Sequence, residues 1–225
     1  MKIYTKTGDH GTTSLYKKVN GIIRVPKYDP RIKFVGMLDE CIVSLGSCIA
    51  ICNNHIFQNF YSKFFMNLIN YFTGNQNNIN YYNLSQMCEN FQKDLMFINS
   101  NIASGIIEFP EDIMDRDCKK PVEIIEKLID EIDEKLPKLT KFKLMGCNNL
   151  YISFNNCRVN IRKSERKLVE YLSKYPKEFP ETEGTKYLLS YFNRLSDLMF
   201  ILSRYVEENN IYGCPVWDSS DKMYW

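Results

Sequence analysis

Arg158-Val-Asn-Ile-Arg-Lys-Ser-Glu-Arg166 carries an arginine at every fourth position. On an α-helix, residues 158, 162 and 166 stand one above another, and Glu165 falls beside Arg158. Phe154, Ile161, Leu168 and Leu172 form an adjacent apolar stripe, about a quarter-turn away at 3.6 residues per turn. The spacing predicts a core helix with an arginine column on its flank. Like charges at i,i+4 oppose each other by roughly 0.2–0.5 kcal/mol per pair in an isolated helix. Two readings answer that repulsion: an anion held by the column, or a solvated basic face with Glu165 as its local partner.

The same helical period recurs on both sides of this segment. Asp29 and Pro30 suit the cap and first position of a helix running to about Cys52. Its stripe is Phe34, Leu38, Cys41, Leu45, Cys48 and Cys52, with Asp39 well off it. Ser85 to about Ile106, and Pro121 up to the stop at Pro137, read as two further helices. A last helix covers about Lys186–Asn209, with Leu188, Phe192, Leu195, Met199, Leu202 and Val206 inward and Asn193 on the opposite face. Long helices with no convincing strand run predict an all-α fold, a five-helix up-and-down bundle. The expectation is a single domain over 1–225, with an Asn-rich insertion at 53–86 and an irregular tail at 210–225.

Before the first helix stands Thr5-Lys-Thr-Gly-Asp-His-Gly11-Thr-Thr-Ser14. Its glycines permit unusual backbone angles, and its hydroxyls and Lys6 suit a phosphate-cradling loop. A polar N-terminal turn fits equally. The Walker order G-x-x-x-x-G-K-[ST] is absent. Net charge is only +2, so any anion site is local and a general nucleic-acid binder is not expected. No continuous run of 18 apolar residues exists, so no membrane span is expected. No C-x-x-C pair occurs among the eight cysteines, and His10 and His55 are the only imidazoles, so no metal ligands are assigned. The cysteines are expected as free thiols in a reducing compartment. Phe142, near a Gly-containing bend, is either core or a ring presented to a ligand.

Taken together, Thr5-Lys-Thr-Gly-Asp-His-Gly11, Val25-Pro-Lys-Tyr-Asp-Pro-Arg31 with Leu38-Asp-Glu40, and the arginine segment resemble the PduO-type ATP:cob(I)alamin adenosyltransferases. Phe192-Asn-Arg-Leu-Ser-Asp-Leu198 is similar to the family's last helix. The resemblance spans 1–52 and about 89–206. It implies a homotrimer with sites between adjacent subunits, where the 5′-deoxyadenosyl group of ATP moves to cob(I)alamin and triphosphate leaves. It implies that Thr5, Lys6, Thr7, Gly8, Thr13, Ser14 and Lys27 wrap ATP. Arg162, Lys163, Ser164, Glu165 and Arg166 would face it, with Asn193 completing the nucleotide site. Arg158 would pair with Asp39 across the subunit boundary, and Phe142 would crowd the lower face of the corrin. Mg²⁺ would ride on the phosphates, and a cobalamin reductase and an adenosylcobalamin-dependent enzyme would be the partners. No presequence precedes the first motif, so a cytoplasmic location is expected, although eukaryotic members work in mitochondria.

The chain departs from the family pattern in four places. Met145-Gly-Cys147 stands where Pro-Gly-Gly is usual, Lys163 replaces the second of two paired arginines, Asn155 replaces a histidine, and Lys17-Lys18 replaces Gly-Gly. The first departure favours an alternative: an escort that binds ATP or adenosylcobalamin with weak or no transferase activity.

Overall fold

The structure is a computed structural model that describes residues 2–17, 21–53, 84–104, 121–176, 182–208 and 213–217. The Asn-rich stretch, the connection through Pro110 and most of the tail lie outside these residues.

Two short strands stand where no convincing strand run was expected. Thr12–Lys17 (β1) pairs antiparallel with Gly21–Pro26 (β2), with Leu15 opposite Ile23 and Thr13 opposite Val25. Paired residues share a face, so Leu15 and Val25 are buried while Ser14 and Arg24 lie on the other side. Each strand has only two inward positions to signal it, too short a period to register beside the charged Lys17-Lys18.

Five helices follow among the described residues: α1 Pro30–Cys52, α2 Leu84–Ala103, α3 Pro121–Asp133, α4 Asn149–Lys174 and α5 Glu183–Glu208. Asp29 caps α1 by accepting from the Arg31 amide at 2.9 Å, and Asn148 caps α4 by accepting from Tyr151 at 2.8 Å. Such a cap contributes about 1 kcal/mol.

Side-chain pairs give the helix directions. Cys41 meets Ser164, Ser44 meets Asn160 and Cys48 meets Cys157, so α1 and α4 run antiparallel. Asp39 to Asn99 and Ile42 to Gln92 make α2 antiparallel to α1. Glu165 to Asn193 and Arg158 to Phe200 do the same for α4 and α5. Val122 to Tyr187, Glu126 to Arg194 and Asp133 to Arg204 rise together, so α3 is parallel to α5. The result is the expected up-down-up-down-up bundle.

Small side chains meet in the α1–α4 seam, Cys41 with Ser164 and Cys48 with Cys157. Beside it, Phe34 and Phe192 meet edge to face at 5.9 Å, both fully buried, and Tyr191 donates to Asp94 of α2 at 3.0 Å. By length and composition α1 alone among the described helices could cross a membrane. The sequence criterion missed this because Asp39 and Glu40 interrupt the run without lowering its average much. Its apolar stripe from Phe34 to Cys52 lies in the bundle core.

The free-thiol expectation fails at two positions. Cys147 and Cys214 form a disulfide with a Cα–Cα distance of 4.8 Å. The cause is an antiparallel bridge between Lys143 and Val216, which aligns the segment before α4 with the tail. Gly146, at φ +139°, turns the chain so that Cys147 reaches Cys214. Cys41, Cys48, Cys52, Cys88 and Cys157 are free and buried; Cys118 lies outside the described residues.

Candidate functional site

The N-terminal loop closes on itself through its own polar groups. Thr5 and Thr7 hydroxyls lie 2.9 Å apart, and the Lys27 amide donates to Gly11 at 2.9 Å. Lys6 has a left-handed backbone, φ +59°, a conformation uncommon for a residue with a side chain and typical of tightly determined loops. A Cβ on Gly8 would stand 3.5 Å from Lys27 Nζ, an ordinary contact, so the Lys27 ammonium lies directly beside the loop at Gly8. Thr13 is half-buried and Ser14 exposed. Arg24 donates to the Thr7 carbonyl and to the Thr12 and Ser14 hydroxyls, tying the loop to the hairpin face. Sequence reading missed Arg24 because its role depends on the strand register.

The arginine column stands on α4 as the spacing predicts, but its members have different surroundings. Arg158 is half-buried; its Nε donates to Asn155 at 3.3 Å and its guanidinium lies 5.8 Å from the Phe200 ring centroid. Arg162 and Arg166 are exposed and take no ion-pair partner among the described residues. Lys163 reaches Glu40 at 3.8 Å, an exposed and weak pair. Glu165 accepts from Asn193 at 3.4 Å, so Asn193 does sit beside the column. Glu126 and then Asp197 hold the neighbouring Arg194 in its charged form, raising its pKa. Ser164 points the other way. It is buried in the α1–α4 seam, donating to the Asn160 carbonyl, so it does not reach the outward face.

The predicted Arg158–Asp39 pair is not made within the chain. Asp39 accepts from Asn99 of α2 at 2.8 Å, whereas Arg158 lies against α5. Within one chain the two residues thus lie against different helices.

Phe142 is not core: it is 75% exposed, meeting only the edge of Trp217 at 6.3 Å among the described rings. This pair sits where the chain enters α4. The hairpin leads into α1, whose start lies level with the far end of α4, where Arg31 stacks 6.0 Å from the Tyr171 ring centroid. Arg31 is itself buried, and its Nε has no hydrogen-bond partner among the described residues. A helix of the length of α4, 26 residues, spans about 39 Å at 1.5 Å per residue. Within one chain, the phosphate-type loop and the exposed aromatic pair therefore lie at opposite ends, with the arginine column between them.

A bundle with this loop and column has known counterparts. The chain is 28% identical over 204 residues to the corrinoid adenosyltransferase PduO of Citrobacter freundii, covering 91% of itself and 49% of that protein. It thus spans about half the length of that relative. It is equally identical to the corrinoid adenosyltransferase of Mycobacterium tuberculosis, covering 90% of itself and 87% of that protein. Its backbone superposes on a variant PduO-type ATP:corrinoid adenosyltransferase from Lactobacillus reuteri, complexed with cobalamin and ATP. That match has a TM-score of 0.66 and 23% identity, and it covers 99% of this chain and 100% of the other; it shows a shared fold. The cobalamin adenosyltransferase family profile matches residues 3–206. That match takes in loop, column and last helix together, so the chain belongs to the cobalamin adenosyltransferase family.

Proposed function

We propose that the chain transfers the 5′-deoxyadenosyl group of ATP to cob(I)alamin, forming adenosylcobalamin and triphosphate at a site between adjacent subunits. The observation that carries the reading is the exposed Arg162 and Arg166, without an ion-pair partner among the described residues, in a chain whose family profile spans both them and the Thr/Gly loop. Cobalt(I) supplies the nucleophile, so no catalytic Ser, Cys or His is needed. A Co–C5′ bond forms as the C5′–O bond breaks, and the electron pair leaves with triphosphate. The protein's work is to align C5′ and to stabilise charge growing on the leaving group.

Thr5, Lys6, Thr7, Gly8, Thr13, Ser14 and Lys27 hold the nucleotide in this reading. Arg162 and Arg166 meet the phosphates, with Lys163, Glu165 and Asn193 alongside. The forked guanidinium suits phosphate oxygens. Among the described residues no group of three or more His, Cys, Asp and Glu is arranged to hold a metal. A Mg²⁺ ion would therefore take its ligands from the triphosphate and water. Separation of the loop from Phe142 along α4 supports a site shared by two copies. So do the exposed Val43, Ile152, Val159 and Val169 on α1 and α4. Asp39 of one copy and Arg158 of the next would pair there, since neither reaches the other inside a chain. The homotrimer implied by the resemblance satisfies this arrangement.

An anaerobic assay with reduced cobalamin, ATP and Mg²⁺, following the cob(I)alamin and adenosylcobalamin bands, tests the reading. ATP-dependent conversion is expected. ATP and adenosylcobalamin binding without conversion would instead establish the escort, which the Cys147 departure favours. Arg24→Ala is expected to raise the KM for ATP roughly tenfold with kcat little changed. That is the worth of one charge-assisted hydrogen bond, about 1.5 kcal/mol, lost from loop ordering. An unchanged KM would remove Arg24 from the site.

A further inference from the structure

Phe142 and Trp217 are both exposed, yet three separate ties hold them together. The first is backbone: Leu144 donates to Pro215 and Trp217 donates to Phe142, both at 2.8 Å. The second is the Cys147–Cys214 disulfide, which crosses the same two segments. The third is Glu207, in the last turn of α5. Its buried carboxylate takes the Lys143 ammonium at 2.8 Å and the Cys214 amide at 3.3 Å. A buried carboxylate is costly unless paired and hydrogen-bonded. Here its two partners come one from each segment, so satisfying Glu207 brings the segments together. Cys147 also fills the position where the family pattern has glycine.

We propose that Glu207 and the Cys147–Cys214 bridge form a clasp that positions the Phe142–Trp217 pair and so sets affinity for the corrinoid, leaving the nucleotide half untouched. This rests on the adenosyltransferase reading, in which Phe142 faces the corrin. The clasp lies at the end of α4 remote from the ATP loop, and none of its members touches Arg162, Arg166 or the hairpin. The bond forms by thiol–disulfide exchange with a glutathione-class disulfide. The Cys147 and Cys214 thiols lose two protons and two electrons, and the small disulfide becomes two thiols. A dithiol reverses the step. Opening the bond leaves two backbone hydrogen bonds, one ion pair and the Cys214 amide's hydrogen bond to Glu207, each of modest net worth. The competent arrangement then falls to a fraction of the population, and apparent affinity falls by that fraction.

The test uses the full chain and adenosylcobalamin, the product, whose binding needs no reductant. Affinities for adenosylcobalamin and ATP are measured on disulfide-oxidised protein, dithiol-treated protein, Cys214→Ser and Glu207→Gln. Differential alkylation with peptide mapping reports the Cys147–Cys214 bond and separates it from the nearby thiols Cys48 and Cys157, 3.7 Å apart. Trp217 emission, read in a Trp225→Phe background, reports its contact with Phe142. Reduction is expected to weaken adenosylcobalamin binding about tenfold, leave ATP affinity unchanged and shift Trp217 emission. Cys214→Ser should sit at the weak level in both redox conditions. Glu207→Gln should weaken binding further when the bond is open than when it is closed. Equal adenosylcobalamin affinity in the two redox states, or a bond that never forms under the oxidant, would overturn the proposal alone. Absence of adenosylcobalamin binding in every state, with alkylation and emission still following the bond, would overturn the adenosyltransferase reading and the proposal with it.

Discussion

An Arg162→Ala protein is expected to fold normally and to lose adenosyl transfer, with kcat lower by about 10²–10³-fold. Arg162 is exposed and has no ion-pair partner among the described residues, so truncation removes little from the folded state. Substitutions of this kind usually fall within about 0.5 kcal/mol. The change also relieves like-charge repulsion with Arg158 and Arg166 one turn away on each side. The loss appears only as negative charge builds on the departing triphosphate, so kcat should fall more than ATP affinity. Single-turnover rates under anaerobic conditions, beside a thermal melt of the same sample, separate the two effects. Arg162→Lys should recover part of the rate, because it restores charge without the fork. A variant with unaltered kcat would show that the column faces solvent, and the bland reading of the basic face would stand.

The second large effect is on stability. Phe192→Ala should destabilise the protein by about 3–5 kcal/mol, the usual cost of deleting a fully buried phenyl ring. Phe192 is fully buried against Phe34 of α1 and beside Tyr191, 6.0 Å away in edge-to-face geometry. Its removal empties the junction of α1 and α5. For a chain of this size each kcal/mol shifts Tm by roughly 2–4 °C, so a fall of about 6–20 °C is expected. Phe192→Leu keeps most of the volume and should cost less than half as much. A melt unchanged by Phe192→Ala would contradict the packing of α5 on α1.

The bundle was legible because its information is local and repeated. The stripe Phe154, Ile161, Leu168 and Leu172 announces α4 several times over; its first three members are fully buried and Leu172 is partly so. Asp29-Pro30 marks the start of α1 within two residues, and the cap is made as expected. Features set by pairing between distant segments were not legible. The Cys147–Cys214 bond joins positions 67 residues apart, brought together by one backbone bridge. Arg24 acquires its three acceptors only once β1 and β2 adopt their register. Ser164 shows the converse: it lies inside a segment read as ligand-facing, yet one step around the helix turns it into the α1–α4 seam. Asp39 and Arg158 are expected as partners across a subunit boundary; within one chain Asp39 meets Asn99 and Arg158 lies by Phe200, and nothing in one chain tests the pairing.

The buried cysteines have a consequence for how the chain survives changing redox conditions. Thiol exchange proceeds through the thiolate. Burial pushes the Cys41 thiol up to about 11 and Cys52 up to about 12, and it drives Cys88 well above its ordinary value. Cys48 is raised as well, chiefly by its contact with Cys157. A thiol with a pKa near 11 is ionised in about one molecule in ten thousand at pH 7. Cys41, Cys48, Cys52 and Cys88 are therefore slow to exchange while the bundle is closed. Cys147 and Cys214 sit at the margin of the core on two facing segments, and theirs is the pairing made among the described cysteines. Among the described cysteines the bundle thus acts as a protecting group, favouring one reversible bond over scrambling with the buried thiols.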